Sequence, residues 1–146
     1  MDQTDYRIIE ELQQNARITI SQLAKKVSLS APSVSERILK LEEKGVLKGY
    51  SARLDIDQLG YKIICFVSVN VKRQKEDEFI RFCKKKSEIL ECHLVSGESS
   101  ILLKVGVPSI ARLESFLEEF HIYGETHSHI VLKELFKDKV INKPLL

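Results

Sequence analysis

Two helix-start signals, at Thr19 and Ser30, lie so close together that they restrict the fold more than any other feature of the sequence. Residues 19–22 read Thr-Ile-Ser-Gln, a capping box with a hydroxyl at the N-cap and a Gln three residues later. Ser30 is a second cap, and Pro32 suits the first turn of a helix because its missing N–H costs little there. With only Ser28–Ser30 between them, the two helices cannot lie antiparallel. They must cross at a large angle, which is the helix-turn-helix arrangement.

A further helix is predicted before this pair, over residues 3–14, where apolar residues recur at helical spacing behind the acidic residues Asp2 and Asp5. The third helix is expected to end near Gly45, which suits the position after a C-cap. Its apolar face consists of Ala31, Val34, Ile38 and Leu41. Its outward face carries short polar side chains at the start of the helix and basic side chains further along. The residues of this face are Ser33, Ser35, Glu36, Arg37, Lys40 and Lys44.

The charge of this region is uneven. Residues 1–16 contain one basic and four acidic residues, whereas residues 17–53 contain eight basic and three acidic residues. A local basic patch attracts a phosphate backbone, so the pattern predicts binding to double-stranded DNA, with the start of the third helix in the major groove. The residues predicted to contact DNA are Ser21, Gln22, Lys25, Lys26, Ser30, Ala31, Pro32, Ser33, Ser35, Glu36, Arg37 and Lys40. The alternative is a plain three-helix bundle with a solvated basic surface.

Composition excludes several other classes of protein. Among the 146 residues, 43% are hydrophobic and 30% charged, as in an ordinary globular protein, and no apolar run approaches the ~18–20 residues of a membrane-spanning helix. The N-terminal residues lack the basic and apolar regions of a secretory signal. The three cysteines lie in apolar runs and cannot all pair within one chain. A reducing cytoplasm is therefore the expected location.

The second half of the chain predicts strands and helices in the order β-α-β-β-α-β. Alternating apolar residues from Ile63 to Val71 predict the first strand, and residues 89–96, 100–107 and 126–136 predict the other three. The fold class is therefore α+β, an N-terminal three-helix helix-turn-helix domain joined to a C-terminal ferredoxin-like βαββαβ domain. The predicted bounds are 1–49 for the DNA-binding domain, 50–61 for a linker strand and 62–146 for the ferredoxin-like domain, to which the family resemblance given next assigns oligomerisation and effector binding. One face of the sheet is left apolar, which predicts an obligate dimer.

The sequence resembles the Lrp/AsnC (leucine-responsive/asparagine, feast-famine) family of transcriptional regulators, because residues typical of the family occur in the same order along nearly the whole chain. The matching residues are Asp2, Asp5, Ile9, Leu12, Asn15-Ala16-Arg17-Ile18, Leu23-Ala24, Leu29-Ser30, Ser33-Val34, Arg37, Leu41-Glu42, Gly45-Val46-Leu47 and Gly49-Tyr50. The resemblance implies a sequence-specific regulator that forms dimers and often octamers, whose second domain commonly senses an amino acid. It also implies that the linker strand pairs with its copy in a second subunit. One departure is Ser28 in the turn, where the family usually has Gly.

The resemblance also implies where an amino-acid effector would bind. The corresponding positions are Gly97, Glu98, Ser99 and Ser100 in the hairpin loop and Gly124, Thr126 and Ser128 near the last strand. The family pattern in the loop is Gly-x-x-Asp, but this chain has Ser100 at the fourth position and no charge there to pair with an α-amino group. Glu98 could substitute, and a turn without a ligand is the alternative.

Two other functions remain open on the sequence alone. The first is an architectural protein that bends or compacts DNA with low sequence preference, since a serine-rich recognition face is compatible with modest specificity. The second is a metal- or small-molecule-binding ferredoxin-like enzyme, for which Cys92, His93, His127 and His129 are the candidate ligands. No closed ligand spacing, phosphate-binding loop or nucleophile motif accompanies them, so no enzyme activity, metal or cofactor is predicted.

Overall fold

The structure is a computed structural model that describes residues 1–143. The chain forms two compact units. The first, called the head here, contains Met1–Arg53 together with the described residues from Phe136 onward, and the second contains Leu54–Leu135. Among the described residues, no helix is long and apolar enough to cross a membrane.

The head is built from three helices that begin at the predicted caps. They are α1 (Gln3–Gln14), α2 (Ile20–Val27) and α3 (Ala31–Glu43). The Thr19 hydroxyl accepts a hydrogen bond from the backbone N–H of Gln22, whose side chain accepts one from the Thr19 N–H, so the capping box is complete. Gly45 follows the C-cap of α3 with φ at +68°. The core of the head consists of Ile8, Leu12, Leu23, Ala24, Val27, Val34 and Leu41.

Ser28 ends α2 in a left-handed conformation, with φ 58° and ψ 45°. An L-residue in this region costs roughly 1–2 kcal/mol, whereas glycine adopts it freely. We therefore expect Ser28→Gly to stabilise the head by about 1 kcal/mol, less whatever entropy the glycine adds to the unfolded chain. Thermal unfolding of the two proteins side by side measures this difference. Ser35→Gly, in the middle of α3, is the matched control and should destabilise the head instead.

The second unit has the predicted order of elements, apart from a short 3-10 turn at Arg73–Lys75. The elements are β1 (Ile63–Val71), α4 (Glu76–Lys85), β2 (Ile89–Leu94), β3 (Ile101–Val107), α5 (Ile110–Glu118) and β4 (Gly124–Ile130). The strands form one antiparallel sheet in the order β2-β3-β1-β4. This is the ferredoxin-like topology, so the predicted fold class is confirmed.

Alternation along β1 and β3 separates the two faces of this sheet. One face carries Cys65, Val67 and Val69 of β1, which are fully buried in a core with α4 and α5. The aromatic rings of Phe79, Phe82, Phe116, Phe120 and Tyr123 fill the space beneath the helices. The opposite face, called the open face here, carries Ile64 and Phe66, and Phe66 is 38% exposed.

Two predicted strands differ from the structure. Residues 50–61 contain no strand, and Ile56–Gly60 forms turns closed by hydrogen bonds from the N–H groups of Leu59 and Tyr61 to the carbonyl of Ile56. The last strand begins at Gly124 and ends at Ile130, whereas residues 126–136 were predicted. The physical reason is the same in both cases, because a strand needs a neighbour and neither segment has one within the described chain.

Candidate nucleic-acid interface

The capped α2–α3 pair presents most of the predicted DNA-contacting side chains to solvent. The Ser30 hydroxyl accepts a hydrogen bond from the Ser33 N–H at 3.3 Å and so fixes the start of α3. Val34 and Leu41 hold the inner face of α3 in the core. Nine predicted residues are exposed: Ser21, Gln22, Lys25, Lys26, Ser30, Pro32, Ser35, Glu36 and Lys40. Ala31, Ser33 and Arg37 are half-buried.

Two of the exposed lysines are paired with carboxylates in the free protein. Lys26 Nζ contacts Glu11 of α1, and Lys40 Nζ lies 2.6 Å from Glu36 Oε1, one turn back on α3. The hydrogen bond from Lys40 holds the pKa of Glu36 below its usual range. Exposed pairs of this kind contribute little to stability, so a phosphate can replace either carboxylate at small cost.

Arg37 differs from the prediction. It was expected on the outward face of α3 with its guanidinium directed toward DNA, but its side chain is only 31% exposed and contacts α1. Its Nη1 lies 2.7 Å from Asp2 Oδ2 and 2.6 Å from Asp5 Oδ1. The N–H of Asp5 and then Arg37 lower the pKa of Asp2, and both carboxylates raise the pKa of Arg37. These two ion pairs span more than thirty residues of sequence, and no local pattern indicates them.

A polar cavity of about 290 Å³ lies beside α3 at this contact. Its walls combine cationic and anionic side chains, namely Asp5, Ser33, Glu36, Arg37, Lys40 and Lys44, with Leu41. The mixture of charge means that the basic patch predicted from composition is partly neutralised on this side of the helix. Lys25 is exposed and has no ion pair among the described residues, so it can contact a phosphate without displacing a carboxylate.

Sequence reasoning also missed a contact between α1 and the C-terminal residues of the head. The Gln13 side chain donates to the Ile141 carbonyl at 2.7 Å and accepts from the Ile141 N–H at 3.0 Å. This amide therefore engages both polar groups of one backbone residue, as a neighbouring strand would. A separation of well over a hundred residues hides the pairing from any local pattern.

The residues predicted for an effector do not converge on one place. Glu98 and Ser99 line a polar cavity of about 390 Å³ with Ser68, Asn70, Glu125, His127 and His129. The Ser100 hydroxyl accepts from the Val71 N–H and donates to the Val69 carbonyl, so it is part of the sheet. Thr126 and Ser128 lie opposite Val69 and Val67 and therefore face the helix side of the sheet, away from that cavity. Gly97 and Gly124 do not line it either.

The four candidate metal ligands are likewise separated. His127 and His129 share the open face at β4, whereas His93 lies on β2, at the other edge of the sheet. Cys92 is an exposed free thiol, and Cys65 and Cys83 are buried free thiols. Burial raises the pKa of Cys83 to about 12, so its thiol stays protonated. Across residues 1–143, no group of three His, Cys, Asp or Glu side chains is arranged to hold a metal ion.

Each of the two units matches a known protein family. Residues 1–48 match the winged helix-turn-helix DNA-binding family, and residues 64–141 match the Lrp/AsnC ligand binding domain. The HTH-type transcriptional regulator LrpC of Bacillus subtilis is 32% identical over 92% of this chain and 94% of its own. The leucine-responsive regulatory protein of Escherichia coli is 34% identical over 92% of this chain and 87% of its own.

Solved structures extend the comparison to the fold. The structure of B. subtilis LrpC has a TM-score of 0.88, with 93% of this chain and 97% of that chain covered at 32% identity. The M. tuberculosis feast or famine regulatory protein complexed with L-methionine has a TM-score of 0.86, with 97% and 99% covered at 30% identity.

Together, the α2–α3 pair and the ferredoxin-like second unit define a helix-turn-helix transcriptional regulator. Its first unit matches a DNA-binding family, and its second unit matches a ligand-binding domain family. The chain belongs to the Lrp/AsnC family. The curated relatives named above are regulators, not enzymes.

Proposed function

We propose that this chain binds specific duplex sites as a dimer or higher oligomer, inserting α3 of two copies into successive major grooves on one side of the DNA. The observation that carries the proposal is the face made by the starts of α2 and α3, where short polar side chains are exposed beside unpaired or weakly paired lysines. Ser33 and Ser35 let the helix approach the base edges closely, and Lys25, Lys26 and Lys40 are suited to phosphates.

Selection of sequences from a random duplex pool tests this proposal. The expected product is a palindrome whose half-sites lie ~34–36 Å apart, bound ~10³-fold or more tightly than random duplex at the same salt concentration. Ser35→Ala should change the base preferred at one position of each half-site, whereas Ser87→Ala, outside the head, should leave the selected sequence unchanged. A binding ratio near one would instead identify a low-specificity architectural protein.

The second copy is proposed to cover the open face of the sheet. Ile64 and Phe66 of β1 and Leu102 of β3 lie there beside Lys104 and Ser68, and Phe66 is 38% exposed in the single chain. Covering Phe66 and its apolar neighbours removes apolar area from water and brings two heads into one assembly. Sedimentation of the full chain distinguishes a dimer from an octamer, and Phe66→Glu should dissociate it. If the parent chain, without the substitution, sediments as a monomer, the proposed dimer is wrong.

An amino-acid effector is proposed by analogy, because the M. tuberculosis relative was solved with L-methionine. The polar cavity lined by Glu98 and Ser99 has suitable chemistry in this chain, since a carboxylate can bind an α-ammonium group and hydroxyl and amide groups can bind an α-carboxylate. Repeating the duplex selection with a panel of amino acids tests this point. An effector should change affinity in the parent and leave it unchanged in Glu98→Gln.

A further inference from the structure

We propose that Arg37 is a positioning residue that holds α3 at a fixed angle on α1 through Asp2 and Asp5, and that it does not itself contact DNA. The proposal rests on the proposed function, because it concerns how the recognition helix is presented to a duplex. It assigns to Asp2 and Asp5, two residues outside the predicted interface, a part in DNA binding.

The first support is the way the four carboxylate oxygens are used. Asp2 Oδ1 accepts from the Asp5 N–H, and Asp5 Oδ2 accepts from the Asp2 N–H, both at 2.9 Å. The other oxygen of each residue, Asp2 Oδ2 and Asp5 Oδ1, accepts from Arg37 Nη1. Each oxygen therefore has its own partner, and the network that caps α1 also fixes the middle of α3.

The second support is the position of Arg37 on its helix. Val34 and Leu41 lie three residues before and four residues after it, so all three share one side of α3. Val34 and Leu41 are 0% and 2% exposed, which makes this the core-facing side. Arg37 lies at the border of that side, and Asp5 is only 15% exposed in the pair.

The third support is charge. Two carboxylates contact one guanidinium, so the positive charge of Arg37 is already compensated within the protein and adds little attraction for a phosphate. A phosphate would have to displace both Asp2 and Asp5, which is only 15% exposed, and this costs more than displacing the single exposed carboxylate beside Lys40. Lys25 has no such partner in the described structure and is the natural comparison.

Binding of the full-length chain to the selected duplex and to random duplex, over a series of salt concentrations, tests the proposal. Arg37→Ala should lower affinity for the selected duplex on the order of 5- to 30-fold and affinity for random duplex less, because random binding depends on phosphate contacts, while the preferred bases and the salt dependence stay those of the parent. Lys25→Ala should instead reduce the slope of log affinity against log salt by about 1. Asp5→Asn, which keeps the shape and removes a charge, should show a weaker form of the Arg37→Ala effect.

A charge swap distinguishes positioning from direct contact. Arg37→Asp alone should bind poorly, and adding Asp5→Arg should recover part of the affinity and part of the melting temperature, because the ion pair is restored in reverse. Recovery is partial because Asp5 is also an acceptor of the α1 capping box. If Arg37 contacts DNA directly, the double variant still places a carboxylate against the duplex and recovers no affinity.

The proposal is overturned if Arg37→Ala reduces the salt slope as Lys25→Ala does, if it changes the base preferred at one position, or if Asp5→Asn binds like the parent. Failure of the parent to bind any duplex would refute the proposed function instead. In that event the melting temperatures still decide whether Arg37 joins α3 to α1, since Arg37→Ala should lower the melting temperature of the head and Lys25→Ala should not.

Discussion

Replacing Leu23 by Ala is expected to unfold the head of the full-length chain and abolish DNA binding, while the second unit remains folded. Leu23 is 0% exposed at the centre of a core with seven buried residues in the described head. Truncating a buried leucine costs roughly 2–5 kcal/mol. A core of this size rarely supplies more than about 3–5 kcal/mol of net stability. The loss is therefore comparable with everything that holds the head together.

NMR spectra of the backbone amides of the parent and of Leu23→Ala measure which unit unfolds. Signals from α1–α3 should collapse toward unfolded positions, and signals from the sheet should stay dispersed. Leu39→Ala is the matched control, because Leu39 lies on α3 with 54% of its surface exposed and its truncation removes little buried area. Retention of duplex affinity in Leu23→Ala would show that the head has stability beyond its visible core.

The second large effect is expected at Gly124, where β4 begins beside β1. A Cβ at this position would lie 2.0 Å from the Asn70 carbonyl oxygen and 2.8 Å from its carbon. Both are backbone atoms of the neighbouring strand, in register with Gly124 at Val71, so no side-chain rotation relieves the contact. Gly124→Ala should destabilise the second unit by about 3 kcal/mol or separate β4 from β1 at this end.

Denaturant unfolding followed by a sheet signal measures the effect. Glu125→Ala, one residue on and exposed, should change stability by less than about 0.5 kcal/mol. Equal stability of the two variants would contradict the close approach. Gly124 was predicted as an effector residue on family resemblance, but its contact with Asn70 alone already requires a glycine there.

The helices were predictable because their start signals are local. Caps at Thr19, Ser30 and Ser109 each lie within three residues of the N–H they accept from, so sequence spacing alone determines the bond. Strand ends are different, because they depend on a distant partner. The last ladder bond of β4 runs from the Val131 N–H to the Ile64 carbonyl, and β1 starts only at Ile63. Within the part of the chain that the structure describes, alternation beyond Val131 therefore has no strand to pair with.

The same distinction applies to the interface. The pair of Glu36 and Lys40 follows from their spacing of four on a helix, and exposure of Ser35 follows from the apolar stripe opposite it. The contact of Arg37 with Asp2 and Asp5 cannot be predicted from sequence spacing, because it depends on how α1 and α3 cross. The resemblance supplied all three residues as a set without the bond between them.

The bidentate contact between Gln13 and the backbone of Ile141 has a practical consequence for anyone who isolates the DNA-binding portion. A fragment cut after Arg53 would discard Ile141 and so would leave the Gln13 amide of α1 without these two backbone partners. A faithful excised version needs both pieces, for example a short glycine–serine bridge that reconnects them. Likewise, removing Ile141 from the intact chain would remove both backbone partners of the Gln13 amide from α1.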